Sequence, residues 1–246
     1  MKISKEQKTT INIATMTNTD SRIRLLRHAH VHYLHPDLEK AEQFLADFGL
    51  AVVKKTATKI YYRGYGPDPF CYIAELSSTG QKAFAGGAFI VDSHEDLVKA
   101  SKLPGASPIE KSTEPGEGDF VILKDPNAMV VKLIHGQEQV QPIEHLPKSH
   151  YNTGQDKDRA GDFHRFKLGP SKVHKVGHYG FMIPAAIFEE TRGWYLETFN
   201  FKLTDSVYDP DTGIDETSFC HIDLGETYVD HHVSEESRND IEGKEN

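Results

Sequence analysis

The chain repeats itself, and this restricts its fold more than any other feature of the sequence. Residues 27–50 read RHAHVHYLHPDLEKAEQFLADFGL, and residues 174–203 read HKVGHYGFMIPAAIFEETRGWYLETFNFKL. Self-similarity at a distance means one supersecondary unit used more than once. Each stretch opens on a short apolar strand pattern holding a histidine. Each then passes a proline, Pro36 or Pro184, and continues as an amphipathic helix. Phe44 and Phe48 in the first helix correspond to Tyr195 and Phe199 in the second, at i, i+4 spacing. Asp37, directly after Pro36, is placed to cap its helix. Downstream, FCYIAEL at 70–76 is echoed by FCHIDLG at 219–225. The separations from His30 to Phe70 and from His178 to Phe219 agree to within one residue. Both units read as a strand, a helix and a run of strands.

A shorter unit lies between them. Residues 84–92 (FAGGAFIVD) have a strand pattern, 94–101 a short helical one, and 119–136 (DFVILKDPNAMVVKLIHG) that of a β-hairpin turning at Asp125-Pro126-Asn127. The expected organisation is a polar lead-in over 1–23, a two-module domain over 24–136 and a polar linker over 137–172. A third module follows over 173–232, and then a charged tail without strand pattern over 233–246.

A formal charge of -9 argues against wholesale nucleic-acid binding, which needs a basic face. No apolar run approaches the ~20 residues of a membrane span, and the first residues lack the apolar core of a secretory signal. Two cysteines far apart, Cys71 and Cys220, do not suggest a disulfide framework. A reducing, cytoplasmic setting is the expectation. The 14 histidines are numerous, and histidine is the commonest metal ligand.

Over residues 24–232 the chain resembles the vicinal-oxygen-chelate superfamily of glyoxalase I, bleomycin-resistance proteins and extradiol (catechol 2,3-) dioxygenases. The resemblance rests on the order and spacing of HPDLEKAEQFLADFGL, KDPNAMVVKLIHG, VGHYGF and FCHIDLGETYVDHH, and it is to the two-domain extradiol type. It implies an α+β fold of tandem βαβββ modules forming cupped mixed sheets, with three of four modules present. It also implies Fe(II), or sometimes Mn(II), held by two histidines and one glutamate. That facial arrangement leaves positions open for a chelating catechol and O2. A nearby histidine moves protons while the ring is cut.

Carried over position by position, the resemblance makes His178, in VGHYGF, the first metal ligand. His232, with His231 as its neighbour, becomes the acid–base group. Adjacent strand residues face opposite ways, so only one of that pair points into a site. His221 reads as a structural histidine. The other two ligands belong to a fourth module; Glu235, Glu236 and Glu242 lie in the charged tail and are not assigned to metal. In the first domain, Lys132 stands where a metal-binding module would place its glutamate. Gly86, Gly87 and Ala88 stand where its histidine would be. That domain is therefore expected to be metal-free, although HxHxH at His28, His30 and His32, with His35 beyond, can in principle bind metal from one strand face.

The expected function is ring cleavage of a catechol-type aromatic with Fe(II) and O2, incomplete in this chain because two ligands are lacking. The alternatives are a glyoxalase-type lyase or isomerase on the same scaffold, and a non-catalytic binding or dimerising module. The partners are a small aromatic substrate and O2, with an exposed strand edge favouring a homo-oligomer. Val233-Ser234 can be encoded by an intron's donor splice sequence, so 233–246 also reads as translated intron.

Overall fold

The computed structural model describes residues 21–143, 155, 168–225 and 232–238. Three βαβββ units follow one another. The first comprises β1 (Leu25–His35), α1 (Leu38–Phe48), β2 (Ala51–Lys55), β3 (Lys59–Arg63) and β4 (Tyr72–Leu76). The second comprises β5 (Ala83–Val91), α2 (His94–Ala100), β6 (Glu110–Lys111), β7 (Asp119–Lys124) and β8 (Val130–His135). The third comprises β9 (His178–Pro184), α3 (Phe188–Thr198), β10 (Phe201–Tyr208), β11 (Asp215–Ile222) and β12 (His232–Arg238), with a 3-10 turn, Ala185–Ile187, leading into α3.

The first two units share one eight-stranded sheet in the order β2-β3-β4-β1-β5-β8-β7-β6. Each unit closes by pairing its last strand parallel to its first, β4 on β1 and β8 on β5, and the units join where β1 and β5 pair antiparallel. The third unit forms its own sheet, β10-β11-β12-β9, and closes in the same way, with β12 parallel to β9.

Helix α1 is set by its caps. The Asp37 carboxylate accepts from the backbone N–H groups of Glu39 and Lys40 at 3.0 and 3.1 Å. Gly49, at φ 106, ends the helix in the left-handed conformation that glycine adopts without strain. The hairpin turn at Asp125 also forms as expected, its carboxylate accepting from Met129 N at 2.8 Å.

The third unit packs its helix-bearing face onto that of the first sheet. Tyr179, Phe181, Tyr195, Phe199 and Phe201 join Leu25, Val31, Phe89, Leu97 and Leu133 in one buried cluster. Phe89 lies 5.8 Å from Phe201, edge to face, a geometry that aromatic pairs favour. Gly87 permits this docking: a Cβ there would come within 2.3 Å of the Tyr179 ring. The seam is also hydrogen-bonded. The Asn200 side chain accepts from Leu25 N at 2.7 Å and donates to Leu25 O at 3.1 Å and Asp223 O at 3.0 Å. The Arg22 guanidinium donates to the carbonyls of Leu196, Phe199 and Phe201, which lie at and just past the end of α3.

Several sequence expectations shift at this point. Residues 22 and 23 fall within the expected lead-in, yet Ile23 is 2% exposed and bridges to Phe199. The start of the expected linker lies along the first domain, where Glu138 N, Val140 N and Ile143 N donate to the carbonyls of Gly116, Pro67 and Tyr65. The expected tail begins at 233, whereas β12 runs through Arg238, held on both sides by β11 and β9. Strand pairing from two neighbours supplies order that a polar sequence does not announce. The FCYIAEL–FCHIDLG echo is one strand out of step. The first ends on β4, the last strand of its unit, and the second lies on β11, the third strand of its unit. An alternating pattern marks a strand without saying which strand it is.

Candidate functional site

Each sheet has a helix-bearing face and an open face, and the histidines divide between them. Strand β9 alternates cleanly: Tyr179, Phe181 and Ile183 are buried, while His178, Gly180 and Met182 face outward. His178 therefore opens β9 on the exposed side, because strand side chains alternate. In register across the sheet, His178 pairs with His232 and His232 pairs with His221. His221 in turn lies opposite Lys202. A single cross-strand row thus runs His178, His232, His221, Lys202. Strands lie ~4.8 Å apart, so the backbones of His178 and His221 are separated by roughly 10 Å.

The structure thus sets the two proposed site residues, His178 and His232, on adjacent strands at one level. It adds His221, which the sequence suggested was structural. The His221 Nδ1 lies 2.5 Å from Thr204 Oγ1, reached by a shift of register in β10 between Leu203 and Asp205. That contact holds the imidazole in the row. Around the row the open face is partly apolar, with Met182 42%, Phe219 37% and Val207 51% exposed. His231 and Glu242 lie outside the described residues. Glu235 and Glu236 fall on β12, in register with Ser218 and Thr217.

A facial iron site needs three donors converging on one side of the metal. Among the described residues, no three His, Cys, Asp or Glu side chains converge in this way. His178 offers one accessible imidazole, and the described part of the chain does not complete the centre.

The first domain behaves differently from an HxHxH metal strand. A register shift between His28 and His30 inserts Ala29 as a bulge. His28 turns to the helix-bearing face, with its ring 4.7 Å from Phe89 and 5.2 Å from Tyr179. His30 and His32 line the open face. His35, 8% exposed, places Nε2 2.9 Å from Tyr72 Oη. The four histidines thus serve three different surroundings. Lys132, where a glutamate ligand would stand, pairs with Glu114.

Between the first module and β9 is a cleft of ≈ 400 Å³, lined by Val31, Tyr33, Leu50, Tyr72 and Val176, with His178 at its rim. Burial pushes the Tyr33 phenol above its ordinary range, and that of Tyr72 further still. Both remain protonated and act as walls, their rings stacked at 5.5 Å. Among the described residues, no helix is long and apolar enough to cross a membrane.

No protein-family model matches the chain, and no curated protein matches it. Solved structures do. A Mn(II)-bound glyoxalase from Novosphingobium aromaticivorans superposes with a TM-score of 0.65 at 14% identity, covering 88% of this chain and 63% of that one. Homoprotocatechuate 2,3-dioxygenase from Brevibacterium fuscum, in complex with 3,4-dihydroxyphenylacetate, gives 0.66 at 18% identity, covering 90% and 63%. The enzyme of that name from Arthrobacter globiformis gives 0.64 at 18%, covering 89% and 61%. The chain therefore spans less than two thirds of the length of these structures. Nearly all of it follows their course, and it has the tandem-module α+β fold of the glyoxalases and extradiol dioxygenases, the fold of the vicinal-oxygen-chelate superfamily.

Proposed function

We propose that this chain is part of an extradiol ring-cleaving dioxygenase acting on a catechol-type aromatic with Fe(II) and O2. The observation that carries this reading is the register of His178, on the open face of the third sheet, with His232 on the neighbouring strand. His178 is assigned as the first metal ligand, and His232 as the group that takes and returns protons during cleavage. A chelating diol needs both an ion to bind it and a neighbouring base, because its hydroxyls must lose protons to bind as an anion. When bound, iron would supply the electronic link between catecholate and oxygen. The remaining donors are assigned to a further module of the same kind, lying outside the described residues. Mn(II) is the alternative ion. On the same open face as His178, the exposed Met182, Phe219 and Val207 offer the apolar surroundings that an aromatic ring prefers.

The test uses the full-length product carrying that further module, loaded anaerobically with Fe(II) and then given catechol and air, with the yellow ring-fission product read by absorbance. Iron binding lost in His178→Ala, and turnover lost with iron retained in His232→Phe, are the expected results. Stoichiometric iron that survives His178→Ala would defeat the assignment. Turnover of the methylglyoxal–glutathione adduct would move the chain to the glyoxalase reading. Silence in both assays, in a chain loaded with iron, would leave a non-catalytic binding module.

A further inference from the structure

The open face of the first sheet holds a second cavity, on the side of that sheet opposite the third module. One cross-strand row there runs His30, Ala88, Lys132, Ile122 through β1, β5, β8 and β7. The cavity measures ≈ 210 Å³, and its apolar wall is made by Ile73, Phe120, Ile122 and Val130. At ~30 Å³ of liquid per water it has the volume of about seven waters. A six-membered ring with one substituent needs similar room.

The charges around this cavity already have partners. Glu75 Oε2 lies 3.0 Å from Lys59 Nζ and 2.8 Å from His32 Nε2, the latter approach out of line for a hydrogen bond. The Lys132 ammonium pairs with Glu114 and sits 4.4 Å over the Phe120 ring. An ionic ligand would have to break one of these pairs, and a buried charge left alone is costly. His30 is different. It is 3% exposed, its ring stands 4.6 Å from Phe70, and its Nδ1 has no hydrogen-bond partner. Burial, reinforced by Lys132 and His32, keeps this imidazole neutral. A neutral imidazole has one donor and one acceptor nitrogen.

We infer that this cavity is a binding site for a small uncharged ring compound bearing a hydroxyl or carbonyl group, with His30 as its polar anchor. The ring lies against Phe120, Ile73 and Val130, and the oxygen meets the imidazole. The site does not depend on His178 or on metal, so it stands or falls separately from the dioxygenase reading.

The probe is phenol, added to the full chain labelled with 15N-histidine, and the readout is the side-chain nitrogen resonances of His30. A saturable shift is expected, with benzoate binding about ten-fold more weakly because its carboxylate must disturb an ion pair. His30→Phe should abolish phenol binding. Ile122→Trp, which fills the cavity and leaves the imidazole in place, should abolish it as well. If His30→Phe fails to fold by circular dichroism, Ile122→Trp decides the matter alone. The proposal is overturned by unsaturable or absent shifts up to the solubility of phenol, by equal binding of benzoate, or by a folded Ile122→Trp chain that still binds.

Discussion

Helices α1 and α3 occupy the same place in their modules and are held by opposite means. Helix α1 carries its own signals: Asp37 caps its start and Gly49 ends it. It buries only Ala41 and Leu45, while its aromatic pair, Phe44 and Phe48, is 64% and 51% exposed. Helix α3 has no side-chain cap, yet its corresponding aromatics, Tyr195 and Phe199, are 1% and 0% exposed. Its end is tied by Arg22, from the opposite end of the chain. The two helices match in sequence pattern, and what differs is the neighbour each one meets. Helix α1 lies at the rim of its sheet, whereas α3 is pressed between its own sheet and the first domain. An i, i+4 aromatic pair therefore marks a helix face without saying whether that face is covered.

Five changes sharpen this comparison, beginning with the largest expected effect and its counterpart. Phe199→Ala opens a hole in the shared cluster and should cost about 4 kcal/mol by chemical denaturation. The corresponding Phe48→Ala should fall within about 0.5 kcal/mol of the parent. Equal costs would mean that α1 is covered in solution. Asn200→Leu leaves Leu25 N and two carbonyls without their partner and should cost about 3 kcal/mol. Gly87→Ala places a methyl against Tyr179 and should cost about 2 kcal/mol. Third-module amides should then exchange faster than those of the first. Asp37→Ala removes the α1 cap and should cost about 1 kcal/mol.

Acid offers a further probe of the same contrast. Tyr195 Oη donates to Asp125 Oδ2 at 3.0 Å across the seam, and burial outweighs that bond, so the carboxyl titrates above its ordinary range. The folded state therefore binds this proton more tightly than the unfolded one. Its contribution favours folding below the ordinary carboxylate value and is lost as pH rises through the folded value. His30 acts in the opposite sense. Its depressed basicity makes stability fall as pH drops below about 6.5, the ordinary imidazole value. Stability measured against pH in Asp125→Asn should lose only the first effect.

Local rules made much of the fold legible. The repeat, the Asp37 cap and the turn at Asp125 are short-range chemistry, and each formed as the residues imply. What stayed hidden depends on partners far along the chain. The bulge at Ala29 separates His28 from His30 and has no residue signal of its own. The extension of β12 past His232 follows from pairing on both sides. Of the candidate site, VGHYGF pointed to His178. The place of His221 in the same row is set by register, which no spacing along one strand contains. Gly87 looked like a missing ligand, and it is instead the seat of Tyr179.

The clasp at Asn200 has a consequence for how the molecule is made. Leu25 and Asn200 lie 175 residues apart, so β1 leaves the ribosome long before the corner that completes its hydrogen bonds. Contacts of such long range form late and slow a chain's folding. The apolar cluster around Phe89 must therefore wait, partly uncovered, for the third module to arrive. A chain released before the third module is made would lack β9, the strand that carries His178, and would leave that cluster uncovered.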